Sequence, residues 1–404
     1  MNLSSDSTHR SMVKFLTITL VALMTMFGLL SNRYYSRSRQ KFRFSRIYLA
    51  YDMFWTVGFT LIYGHQIVRE YYQGQINLRD AITLYSYMNI TVAVINFITQ
   101  MMISDHVAKT MSAVPFFETL RKFRLNSKSL YISISTALIK AIGFPFILEV
   151  AFILQQRRLH PELSLIWTIY RLFPLVISNL LNNCFYGAMI VVLEVLKALN
   201  LRVESILKEV NILQREEQLK LNTTYYRMQR FCSLADELDN LAIYYKLIYV
   251  HAGKYLSPMS LSMILSLICH LLGMTVGFYS LYYAVADTFI GGKPYDGLGS
   301  LINLVFLFIS LAEITLLTHL CNNLLIATQR TGTLLQDMNL RHADPRFRKS
   351  VHDFTLFVTL SRFKIKPLGL YELDMTLIMN VFSTVASFVL ILVQADLSQR
   401  FRML

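Results

Sequence analysis

Leu298–Ala327 reads LGSLINLVFLFISLAEITLLTHLCNNLLIA, in which Glu313 is the one residue from among Asp, Glu, Lys and Arg. As a helix such a run covers roughly 45 Å, more than the ~30 Å hydrocarbon layer of a bilayer. Directly after it comes Arg330–Lys366, a segment with eight Lys/Arg. Apolar runs bounded by polar connections recur along the chain, at Ile47–Val68, Ala81–Ile103, Leu130–Leu154, Leu165–Leu196, Pro258–Val285 and Met375–Val393. In lipid every backbone N–H and C=O must be satisfied within its own segment, so all seven runs read as helices. With 404 residues, 54% apolar content and a mean hydropathy of +0.43, the chain is expected to be an all-α polytopic membrane protein.

The basic residues set the expected orientation. Of the 39 Lys/Arg, 30 fall in alternate connections: Arg10 and Lys14, six in Arg33–Arg46, five in Asp105–Lys128, nine in Lys197–Lys254 and eight in Arg330–Lys366. The other connections hold Arg69, Arg79, Arg157, Arg158, Lys293, Arg400 and Arg402. Positive charge stays on the cytosolic side during insertion. The N-terminus is therefore expected inside and the C-terminus outside, the reverse of a G-protein-coupled receptor. The net charge of +14 is then a topology and lipid-headgroup signal, with nucleic acid excluded as a partner. Cys184, Cys269 and Cys321 lie in runs and Cys232 in a cytosolic connection, so no outer disulfide framework is expected.

The chain divides into 1–46, a cytosolic N-terminal segment; 47–196, four spans; 197–257, a cytosolic helical extension; 258–327, two spans; 328–374, a cytosolic segment; and 375–404, the last span with a short outer tail. Phe15–Leu30 is shorter than a span and is followed by Asn32-Arg33-Tyr34-Tyr35 rather than a cleavage site, so it reads as a short interfacial helix. The fourth span continues without Pro or Gly past Lys197. There Leu199, Val203, Ile206, Val210 and Leu213 form a helical apolar stripe, which needs a partner in its own chain or in another subunit.

Asp52, Lys140, Glu149, Arg171, Glu194 and Glu313 lie within runs, where a charge must face protein or water. Glu149 and Arg171 sit at similar depth in adjacent spans and are expected to pair or to line one outer cavity. Tyr85, Tyr87, Trp167, Tyr170, Tyr279, Tyr282 and Tyr283 crowd the outer halves. Two readings fit them, an interfacial aromatic belt and a pocket for a small amphipathic molecule. Enzyme signatures are missing: there is no H-E-x-x-H, no nucleotide-binding glycine loop, no G-x-S-x-G and no paired-cysteine metal motif. No catalytic residue, metal or cofactor is expected.

The C-terminal portion reads Gly369-Leu370-Tyr371-Glu372-Leu373-Asp374 and, further on, Ser387-Phe388-Val389-Leu390-Ile391-Leu392-Val393-Gln394-Ala395-Asp396. This resembles the insect gustatory receptor signature of Thr-Tyr, five apolar residues and Gln-Phe. The match is conservative at Ser387 and Phe388, identical at Gln394 and lost at Ala395. Gly369–Asp374 is similar to the family's Gly-Leu-Phe-Glu-Leu-Asn lead-in, and Gly28-Leu29 before the basic linker also looks like its pattern. The resemblance implies a multi-pass plasma-membrane receptor of chemosensory neurons: a tastant-gated, non-selective cation channel built as a homo- or hetero-tetramer. Gln394, Val393, Leu390 and Ala395 would line its pore, and the aromatic residues above, with Glu149 and Arg171, its ligand pocket. Bitter compounds are the preferred tastant class, since nothing marks sugar binding. A metabotropic seven-helix receptor and a small-solute transporter are the alternatives, and single-channel recording separates the three.

Overall fold

A computed structural model of the chain describes residues 3–403 apart from 36–40, 73–80, 114–126, 160, 162–163, 216–223, 293 and 362. Its helices are α1 (Leu3–Met26), α2 (Arg46–Tyr72), α3 (Ala81–Ala113), α4 (Ser127–Leu138), α5 (Phe144–Leu159), α6 (Leu165–Leu172), α7 (Pro174–Leu213), α8 (Thr224–Leu256), α9 (Ser260–Phe289), α10 (Gly297–Gln336), α11 (Pro345–Leu360) and α12 (Met375–Met403). A π-helical turn, Ile139–Gly143, joins α4 to α5. Among the described residues, six helical stretches are long and apolar enough to cross a membrane: Leu84–Lys109, Lys128–Arg158, Leu165–Leu213, Ser260–Phe289, Gly297–Gln336 and Met375–Phe401.

The first span, α2, has the length but a lower apolar average. Its buried stripe of Asp52, Thr56, Phe59, Tyr63, Gln66 and Glu70 follows helical spacing. Phe54, Val57 and Leu61 face outward. Polar groups point into the bundle and apolar ones away from it, the arrangement a spanning helix needs to hold charge.

Helix α7 is the hub, touching α1, α3, α4, α8, α9 and α10. Its apolar stretch is 83% buried, whereas that of α12 is 17% buried. Pro174 at its first turn lacks an N–H to offer and separates it from α6. Inside the bundle, packing depends on close approach rather than on escape from water. Gly273 and Gly277 of α9, four apart, face α10, where an added Cβ would come within 2.8 Å of Phe306 and 3.0 Å of Leu307.

At the basic end the ordinary hydrophobic effect takes over. Leu199, Val203, Ile206, Val210 and Leu213 of the α7 extension are all buried, and α8 packs on both α7 and α11. Phe231 meets Phe347 and Tyr245 meets Phe354, with ring centroids 5.5 and 5.6 Å apart. Each such side chain contributes about 1.5–3 kcal/mol on burial. The stripe thus finds its partner surface within its own chain. His251 is buried here with neither ring nitrogen partnered among the described residues; burial, and then the Lys254 charge, hold its pKa below the ordinary value.

The N-terminal segment is more embedded than its composition suggests. Helix α1 buries Leu16, Leu20 and Met24 against α4 and α7 while Phe15, Ile18 and Met26 stay exposed. The chain then reverses at Gly28, whose φ of 69° suits glycine and whose missing Cβ leaves room for Trp55. The basic linker forms a two-stranded antiparallel hairpin, Asn32–Tyr35 with Lys41–Phe44, in register Asn32↔Phe44. Tyr and Phe favour that extended pairing. It is a local addition to an otherwise helical fold.

Candidate functional site

At the end opposite the basic segments, Glu70 organises a polar cluster between α2, α3 and α6. Its Oε1 accepts from Gln66 Nε2 at 3.0 Å, and its Oε2 accepts from Arg171 at 3.3 Å and from the Tyr87 hydroxyl. The Arg171 backbone carbonyl accepts from Ser86 Oγ at 3.4 Å. Glu149 is not the partner of Arg171, and its Oε2 is buried without a hydrogen bond among the described residues. The physical reason is that α2 runs one turn beyond its apolar stretch, to Tyr72, which carries Glu70 into reach of the last turn of α6.

Beside the cluster runs a column of rings. Trp167 stacks on Tyr170 at 4.9 Å, and Tyr170 stacks on Tyr63 at 4.8 Å with planes 7° apart. Tyr63 also donates its hydroxyl to the Tyr170 carbonyl at 2.6 Å. Phe59 continues the column to Phe97. Trp167 and Tyr170 are therefore part of one aromatic wall, together with Tyr63, which composition alone does not single out.

Removing one member of the Glu70–Arg171 pair strands the other charge. The side chains are 11% and 18% exposed, so water relieves part of the penalty. Glu70→Gln or Arg171→Gln is expected to lower stability by up to about 3 kcal/mol, below the ~3–5 of a fully buried pair. In a double-mutant cycle on surface expression, the exchange of the two residues restores part of the loss. Strictly additive effects would exclude the pairing.

The remaining aromatic candidates separate. Tyr85 is 1% exposed and packs edge-on against Phe306 and Phe152, with centroids 4.9 and 6.2 Å away, a place in the core of the bundle. Tyr279, Tyr282 and Tyr283 gather where α9 meets α12. Tyr282 donates to Asp396 at 3.1 Å, and Arg400 lies 4.8 Å from the Tyr283 ring centroid. Arg400 also pairs with Asp287 at 2.8 Å and Asp396 at 2.7 Å, fastening the far end of α12 to α9.

Deep in the bundle, Lys140 and Glu313 form a buried ion pair. Lys140 Nζ also donates to Asn183 Oδ1 at 2.8 Å and lies 5.4 Å from the Tyr186 ring centroid. Lys140 belongs to the π-helical turn, a local geometry that recurs at functional positions. Near the basic end, Asp52 accepts from the Ser31 hydroxyl, and Glu194 accepts from Ser129, Ser133 and Lys197. The sequence signal for Lys140 and Glu313 is their depth: both lie near the middle of a run, Glu313 as the one charge there and Lys140 in a run shared with Glu149.

Helix α12 holds to the bundle by Leu377, Val381 and Val385. Gln394 and Ala395 are exposed, Val393 is half-buried, and Leu390 is 60% exposed. Phe388 and Ile391 are also open, so one whole apolar face of the last span has no partner within the described residues of the chain.

The 7tm chemosensory receptor family matches residues 18–399. Among its relatives, candidate gustatory receptor 94a of Drosophila melanogaster is 71% identical over 403 residues, covering 100% of both chains. Candidate gustatory receptor 97a of the same species is 36% identical, covering 97% of this chain and 93% of the relative. A gustatory receptor for bitter taste, 93a, also of that species, is 23% identical over 55% of this chain and 51% of its own length. The insect olfactory receptor OR5 from Machilis hrabei, solved in complex with eugenol, shares the fold with a TM-score of 0.63 at 12% identity, covering 97% of this chain and 100% of that one. The chain is a multi-pass membrane protein that belongs to the 7tm chemosensory receptor family, among the insect gustatory receptors, and so is a receptor rather than an enzyme.

Proposed function

We propose that this receptor is itself a channel: a tastant-gated, non-selective cation pore in the plasma membrane of chemosensory neurons, formed by four subunits, identical or mixed. The observation that carries this reading is the open face of α12, a spanning helix whose apolar stretch is only 17% buried. Leu390 and Val393 there precede Gln394, so a ring of such helices supplies an apolar constriction that gates by dewetting, followed by a ring of amides. Lipid alone would favour that apolar face, but would not favour Gln394 on it. The ligand reading rests on the aromatic wall of Tyr63, Tyr170 and Trp167 beside the Glu70 cluster, apolar surface with a few fixed polar groups. The relative described as a bitter-taste receptor supports bitter compounds as the tastant class. Expression alone and with sister subunits, recorded in excised patches against a tastant panel, tests the whole reading. Responses that require a G protein and show no unitary currents would replace it with the metabotropic alternative.

The orientation has its own test. Asn2 and Asn222 lie outside the described residues, on connections expected in the cytosol. Asn89 is buried in α3, donating to the Tyr85 carbonyl at 2.7 Å and accepting from Ser178. None of these three N-x-S/T sites is expected to carry glycan. An endoglycosidase mobility shift abolished by Asn222→Gln would invert the topology.

A further inference from the structure

Three apolar runs end at one place. Ser129 immediately precedes the run that opens at Leu130, Lys197 follows the one that closes at Leu196, and Arg330 lies three residues beyond Ala327. The fold gathers these ends, from α4, α7 and α10, around a cleft of about 420 Å³. Because three spans change there from apolar to basic, the cleft sits where hydrocarbon gives way to headgroups, the plane of a phospholipid's phosphodiester. Its lining has the matching split. Leu201 and Ile326 are 55% and 52% exposed, apolar surface suited to glycerol and the first acyl carbons.

The charges in the cleft favour an anion. Glu194 is almost fully buried, and its Oε1 already accepts from Ser129 at 3.0 Å, Ser133 at 3.1 Å and Lys197 at 2.8 Å. Among the lining residues two cations, Lys197 and Arg330, stand against that one carboxylate; Glu204, outside the lining, is shared between Arg330 and Lys208, the latter at 2.9 Å. Arg330 spends one amine on Glu204 at 3.1 Å. A guanidinium has five N–H donors in a planar fork, so donors remain for a phosphate oxygen pair. The Lys197 ammonium, 45% exposed at its side chain, donates to Glu194 at 2.8 Å and to Ser129 at 3.4 Å and keeps its third N–H for the ligand.

We propose that this cleft binds the phosphodiester of an anionic phospholipid, held by Arg330 and Lys197, with Leu201 and Ile326 against its glycerol and acyl carbons. Basic pockets between spanning helices are a recurrent solution for such headgroups. Assignment to the cytosolic leaflet rests on the charge-based topology; the recognition chemistry does not.

The test uses full-length receptor purified in a neutral detergent, where sidedness and channel activity play no part. Thermal unfolding is followed while dioctanoyl phosphatidylserine, dioctanoyl phosphatidylcholine or inorganic phosphate is titrated in. The serine lipid is expected to stabilise the receptor saturably, with little effect of the other two. Arg330→Gln is expected to raise the half-saturating concentration about tenfold, the loss of a charge-assisted hydrogen bond. Ile326→Trp, at an exposed position with no change of charge, is expected to weaken binding by covering the mouth. Equal stabilisation by phosphatidylcholine would overturn the headgroup assignment, and saturation by phosphate alone would overturn the lipid. Unchanged binding in both variants would overturn the site, and if Arg330→Gln does not fold, Ile326→Trp decides.

Discussion

Lys140→Met in a chain that keeps Glu313 is expected to remove most of the folded receptor from the cell surface. The pair is buried, with side-chain exposures of 2% and 8%, and breaking such a pair typically costs about 3–5 kcal/mol because the remaining charge stays in the bundle without compensation. That is a large part of the ~5–15 kcal/mol that holds a folded domain together. Glu313→Leu alone is expected to be as damaging, since Lys140 would keep only Asn183 and the face of Tyr186. The double variant Lys140→Met with Glu313→Leu is expected to regain expression, because two apolar side chains of similar volume leave no charge to solvate. Size-exclusion profiles and thermal midpoints of the four proteins measure the cycle. Wild-type stability in either single variant would mean that the pair does not hold the bundle. Recovery of stability without recovery of tastant response would show that the ion pair joining the π-helical turn to α10 is kept for gating.

Gln394→Arg is expected to abolish cation current while leaving surface levels and assembly unchanged. Under the tetrameric reading this places four guanidinium groups around one axis, where wild-type side chains offer carbonyl oxygens to a partly dehydrated ion. Moving a cation past them is opposed by about 1 kcal/mol per charge at 4 Å in water and by about 4 kcal/mol at an effective dielectric of 20. Since Gln394 is exposed in the single chain, the substitution disturbs no packing there. Gln394→Ala is expected to shift conductance and reversal potentials modestly. Wild-type current and selectivity in both variants, at normal surface levels, would remove α12 from the pore lining.

Much of the architecture was legible before any coordinates. The apolar run from Leu298 to Ala327 lies within α10, and the uninterrupted passage from Leu196 into Lys197 marks α7 as one rod reaching Leu213. The stripe Leu199, Val203, Ile206, Val210 and Leu213 was readable because each residue recurs on one helical face. The basic linker was not readable as a hairpin, since charged residues masked two short Tyr- and Phe-containing strands. The embedding of α1 was also hidden, because Leu16, Leu20 and Met24 look alike whether they face lipid or protein.

The candidate site was legible as a set of residues and not as a set of contacts. Arg171 was matched by depth to Glu149, whereas its partner Glu70 lies beyond the end of the first apolar run and becomes available only because α2 continues to Tyr72. Tyr85 and Tyr87, two residues apart, point to different places, one to Phe306 and the other to Glu70. A step of two residues turns a helix through about 200°, which separates neighbours that composition groups together.

The sequence by itself determined the number of apolar runs, their helical state and the charge bias between the two ends. Those properties are sums over local stretches: transfer of a segment into hydrocarbon and the retention of nearby cations. The tertiary structure decided which polar group meets which. Lys140 and Asn183 are 43 residues apart, Glu70 and Arg171 101, and Lys140 and Glu313 173. Whether two such groups touch depends on the rotation and depth of separate helices, and one residue of register turns a side chain by about 100° while barely changing the segment's hydrophobicity.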